Sequence, residues 1–118
     1  MQTTIVKIPT QRITDWNSFH DAFSDALGFP GFYGRNMSAW IDCMTNIDDE
    51  SSGMSDIFVN PGELLTLKID EAPDFARRCP EQYQAQVECV TVVNYRHVEV
   101  GEAPVLALLL SGRETPGV

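Results

Sequence analysis

The side chains best equipped for chemistry are few, and their spacing argues against it. His20 and His97 fall in separate helical stretches, and neither is accompanied by a G-x-S-x-G, an H-E-x-x-H or a glycine loop that follows a strand. Each reads as a solvated ring or one at the edge of the core. Cys43, Cys79 and Cys89 are odd in number, form no C-x-x-C pair and stand away from any histidine at metal-ligand spacing. They imply neither a disulfide framework nor a zinc site, but incidental or buried thiols in a reducing compartment. Cys43 has no paired base, and Asp48, Asp49 and Glu50 lack the alternation and central glycine of a calcium loop, so they read as a solvated acidic turn. No catalytic residue, metal or cofactor is expected, and the chain reads as a non-enzyme.

A binding carboxylate is easier to find. Residues 29 to 45 run F-P-G-F-Y-G-R-N-M-S-A-W-I-D-C-M-T. Gly31, Phe32, Tyr33 and Gly34 make a loop, and Asn36 caps a helix predicted to reach about Asn46. Met37, Trp40, Ile41 and Met44 fall at i, i+3, i+4 and i+7, with Ser38, Asp42 and Thr45 on the opposing stripe. Asp42 is therefore expected to face outward. Loop and helix start together offer a cleft-shaped partner both aromatic surface and a carboxylate.

The elements that must position this stretch follow from periodicity. Thr3 to Ile8 is a β-branched strand stopped by Pro9. Thr14 or Asp15 caps a helix whose apolar side is Trp16, Phe19, Phe23, Ala26 and Leu27, with Gly28 and Pro30 as the stop. Residues 46 to 62 are a polar, acidic excursion, and Glu63 to Ile69 is a second strand. Residues 71 to 98 read as helix broken at Pro80, and the valines between 87 and 93 weaken the helix expected over 81 to 96. Pro104 to Leu110 is apolar throughout, which suits a strand covered on both faces. Strands separated by helices imply an α/β layer with a small parallel sheet, in one domain spanning 1–118.

Seventeen acidic against eight basic side chains leave a net charge of −9. That field repels phosphate backbones, so no direct nucleic-acid binding is expected, and it suits a cationic protein reached by electrostatic steering. No apolar run approaches the roughly 20 residues that span a bilayer, and the first residues lack a basic leader, so a cytoplasmic protein without membrane contact is expected.

The stretch F-Y-G-R-N-M-S-A-W-I-D-C-M-T, after L-G-F-P, resembles the hallmark of the barstar family, approximately Y-Y-G-x-N-x-D-A-L-W-D-C-L-T. Tyr33, Gly34, Asn36, Ala39, Asp42, Cys43 and Thr45 match in type and order, and Ile13 to Asp15 resembles the family's approach to its first helix. The family comprises small intracellular inhibitors of secreted ribonucleases. The resemblance implies a three-stranded parallel sheet packed with α-helices. It also implies a partner-binding set of Phe32, Tyr33, Gly34, Asn36, Ser38, Ile41, Asp42 and Thr45. In that set Asp42 takes the place of a substrate phosphate, Phe32 and Ile41 supply apolar contact, and Gly34, Asn36, Ser38 and Thr45 bond at the rim. Ser38 stands where the family has an aspartate, Ile41 where it has tryptophan, Trp40 where it has a core-facing leucine, and Phe32 where it has tyrosine. The implied function is an inhibitor or immunity protein that plugs a small basic ribonuclease or nuclease toxin domain. The alternative is a regulatory or interaction module that keeps the fold for a non-nuclease partner.

Overall fold

Three five-residue runs rich in β-branched and leucine side chains form the strands: β1 Thr4–Ile8, β2 Leu65–Ile69 and β3 Leu106–Leu110. They appear in a computed structural model that describes residues 4–112, so Thr3, expected to open the first strand, lies outside the described residues. The sheet order is β1-β2-β3, parallel throughout, with Val6 opposite Leu67 and Leu67 opposite Leu108. Parallel neighbours need crossovers, and helices supply them. Helices α1 Trp16–Leu27 and α2 Met37–Thr45 lie between β1 and β2, while α3 Ala72–Arg78 and α4 Pro80–Glu99 lie between β2 and β3. This is the expected α/β fold, three parallel strands packed with helices.

Register places Ile8, Leu65, Leu67, Ile69 and Leu106 on one side of the sheet, all buried against the helical aromatics Phe19, Phe23, Trp40 and Phe75. The other side carries Ile5, Lys7, Lys68 and Leu109, and Lys7 and Lys68 converge on Asp70 at 3.3 and 3.8 Å. The last strand is therefore not covered on both faces. It is an edge strand with Leu109 and Leu110 nearly half exposed, because a continuous apolar run fits one-sided burial as well as two-sided. The valines between 87 and 93 do not interrupt α4, which runs unbroken from Pro80 to Glu99 because Val90 and Val93 are buried in the core. Among the described residues, no helix is long and apolar enough to cross a membrane.

Two side chains on α4 have opposite relations to the core. The Asn94 carboxamide behaves as a surrogate strand neighbour: its Oδ1 accepts from Val105 N and Leu106 N at 3.0 and 2.9 Å, and its Nδ2 donates to Leu106 O at 3.0 Å. Gln86 is fully buried, yet neither atom of its amide has a hydrogen-bond partner among the described residues. Asn94→Ala should therefore cost about 2 kcal/mol by stranding backbone groups at the start of β3. Gln86→Met, nearly isosteric, should raise stability by about 1 kcal/mol by removing two orphaned polar atoms. Urea denaturation of both variants checks the two signs, and a stabilised Asn94→Ala or a weakened Gln86→Met would contradict them.

Candidate partner-binding face

The loop before α2 is held from the α1 side. Gly28 ends α1 at φ 69°, where a Cβ would run into Asp56, so glycine is required there. Tyr33 is buried, packs on Phe29 at 4.8 Å between ring centroids, and its hydroxyl bonds His20 Nδ1 at 2.6 Å. Arg35 takes the left-handed conformation at φ 54°, unusual for a residue with a side chain. Its guanidinium is pinned to α1 by Asn17 O at 2.9 Å, Asn17 Oδ1 at 2.6 Å and Asp21 Oδ1 at 2.9 Å. These contacts offset a conformational cost on the order of 1 kcal/mol.

Helix α2 then starts at the expected cap: Asn36 is extended and its Oδ1 accepts from Ala39 N at 2.8 Å. Trp40, Cys43 and Met44 are buried, with the Trp40 ring edge-on to Phe23 at 5.6 Å. Burial first, and then the neighbouring Asp42 carboxylate, push the Cys43 thiol up to about 11, so it stays protonated at neutral pH. A protonated, buried thiol is no nucleophile.

The opposing stripe is open. Ser38 and Asp42 are exposed and Thr45 is half-buried, its hydroxyl donating to Ile41 O at 2.6 Å. Asp42 Oδ1 lies 3.0 Å from Arg96 Nη1 of α4, with the two side chains 58% and 45% exposed. A pair so wet holds weakly, by about 1 kcal/mol or less, and can be exchanged. Phe32 projects from the loop 75% exposed. Gly34 does not have positive φ, and a Cβ there would rest at 3.4 Å from Ala39 Cβ, so the fold itself does not demand glycine. Ile41 is half-buried against the core rim.

Of the expected partner-binding set, Phe32, Gly34, Asn36, Ser38 and Asp42 are exposed, Ile41 and Thr45 are half-buried, and Tyr33 points inward. The fold also decides between the two readings of the histidines, against solvated rings, and corrects one acid. His20 and His97 are only 4% exposed, and the Asp48 side chain is 17% exposed beside His97 rather than free in solvent. Sequence reasoning missed Arg35, Arg96 and the His20–Tyr33 bond. A signal for Arg35 existed, since Asn17 and Asp21 stand one helical turn apart as paired acceptors. Arg96 had none, being remote in sequence from Asp42.

The model of a family described as Barstar (barnase inhibitor) matches residues 3–107 of the chain. No curated protein matches it.

The His20 contact predicts a pH response. Burial, and then the nearby Arg35 charge, hold the ring below its ordinary value of 6.5, so it is neutral in the fold and takes up a proton on unfolding. Its contribution is complete above pH about 6.5 and is lost as pH falls through the depressed folded value, with a slope of at most about 1.4 kcal/mol per pH unit. Stability measured by urea at pH 7.5 and 5.5 should fall for the native chain and fall less for His20→Gln. Equal losses would exclude His20 as the source.

Proposed function

This chain belongs to the barstar family, and on that premise we propose that it inhibits a small basic ribonuclease or nuclease toxin domain inside the cytoplasm. Members of that family are inhibitors rather than enzymes. The observation that carries the reading is the setting of Asp42: a carboxylate exposed on a helix whose other side is locked into the core, already gripping a guanidinium at 3.0 Å. The basic groups that hold an RNA phosphate present the same chemistry. On docking, Asp42 exchanges Arg96 for the partner's cations, in an interface from which water is excluded and where the attraction is stronger. Phe32 adds apolar area, Ile41 lies at its margin, and Gly34 lets the partner approach the backbone. Asn36, Ser38 and Thr45 offer polar atoms at the rim, and Tyr33 sets the loop from within. The net charge of −9 speeds encounter with a basic target.

A second reading is favoured by the company Asp42 keeps. Ser38 brings no second charge to the stripe, and Arg96 neutralises the one present. A less basic, non-nuclease partner would suit such a face.

One titration separates the readings. Purified protein is mixed with a panel of small microbial ribonucleases and with the product of any toxin gene next to its own, and residual RNA cleavage is followed. Stoichiometric inhibition is expected, and Asp42→Ala should weaken it at least about tenfold, or about 1.4 kcal/mol. The melting temperature should hardly change, because the Asp42–Arg96 pair is exposed. Equal potency of the variant would remove Asp42 from the mechanism, and undiminished cleavage throughout would favour the non-nuclease partner.

A further inference from the structure

At the far end of α4 the fold assembles three ligand-type side chains that are scattered in sequence. His97 is in the last turn of α4, Glu102 follows in the turn that Gly101 allows at φ 82°, and Asp48 comes from the segment after α2. The turn is closed by Glu102 N donating to His97 O at 2.8 Å. His97 Nε2 lies 2.9 Å from Thr45 O. A carbonyl oxygen can only accept, so Nε2 carries the hydrogen and the neutral ring presents its lone pair at Nδ1. That nitrogen, on a side chain only 5% exposed, faces Glu102 Oε1 at 2.9 Å and Asp48 Oδ2 at 3.9 Å. Ionised carboxylates are acceptors only, so with the Nδ1 lone pair three side chains offer electron pairs to one small space. Something positive belongs at their centre.

We infer that Asp48, His97 and Glu102 bind a divalent metal ion of the zinc class. Imidazole with two carboxylates is a suitable donor set for zinc, and ligand bonds of about 2.0–2.2 Å require donor atoms roughly 3 to 3.5 Å apart. The three atoms already lie within 4.8 Å of one another. Glu102, 57% exposed, has room to turn toward the ion, and Asp48 Oδ2 already lies 3.9 Å from Nδ1. The hydrogen bond from Nε2 to a backbone carbonyl is the outer contact that fixes a metal-ligating imidazole. Asp48, His97 and Glu102 line one cleft of about 410 Å³, with Asp49 adding negative charge to its wall. Arg96 also lines it, but its guanidinium is engaged by Asp42. Three protein ligands leave a coordination position for water. Nothing in this inference depends on the inhibitor reading.

The experiment is calorimetric titration of the tag-free protein with zinc chloride at pH 7.5, beside Asp48→Asn and Glu102→Gln. Both substitutions keep size and hydrogen-bonding capacity, and unchanged circular dichroism shows that the variants fold. Saturable one-to-one uptake is expected, weakened about tenfold or more by each substitution, a loss that even outer-shell changes produce. Zinc should also shift the His97 Nδ1 resonance in nitrogen NMR. Absence of saturable uptake would overturn the inference and leave the contact of His97 with Glu102 as an ordinary hydrogen bond. Uptake undiminished in the variants would overturn it too, and place the ion elsewhere, for example at the half-exposed Cys89.

Discussion

The burial of Trp40 is the constraint on which the rest depends. A nine-residue helix has one apolar side, and a fully buried indole set edge-on to Phe23 decides which side that is. Residues two apart project roughly 200° from one another around a helix axis. Once Trp40 is inside, Asp42 must be outside. Cys43 and Met44, both buried, allow no compensating rotation. The arrangement has a cost: the indole N–H has no acceptor among the described residues, a penalty of about 1–3 kcal/mol that the apolar burial outweighs.

Orientation alone would leave the loop ahead of the helix undefined, and here α1 acts as the template. The Tyr33 hydroxyl reaches back to His20 and the Arg35 guanidinium to Asn17 and Asp21, so the loop is tied at two points within about one turn of α1. Phe32, just ahead of these ties, is left 75% exposed in solvent. The exposed aromatic is thus a product of rigid neighbours rather than of a slack loop.

What was legible in the sequence was local. Asp15 and Asn36 are caps because their short side chains reach a backbone N–H three residues on, and that geometry is readable from spacing. Trp40 inside and Asp42 outside followed from a 3.6-residue period. Beyond the ties of Tyr33 and Arg35 to α1, the illegible parts run through α4, whose partners are remote in sequence: Asn94 with the start of β3, Arg96 with Asp42, His97 with Thr45 and Asp48. The open face of β3 was misread for a related reason, since an all-apolar strand carries no alternation to say which side is wet. The histidines were underestimated because a ring's value lies in its neighbours, and both sets of neighbours are supplied by other elements.

The parallel order β1-β2-β3 also bears on how the chain comes off the ribosome. β1 and α2 are synthesised early, but among the described residues β1 pairs with β2 alone, and α2 packs also against α4, which is itself locked to β3 through Asn94. A nascent chain that stops short of residue 106 therefore has α4 without its Asn94 anchorage, and contacts so distant in sequence form slowly. Strand β3 is thus the last piece made before the sheet is complete and α4 is fixed beside α2.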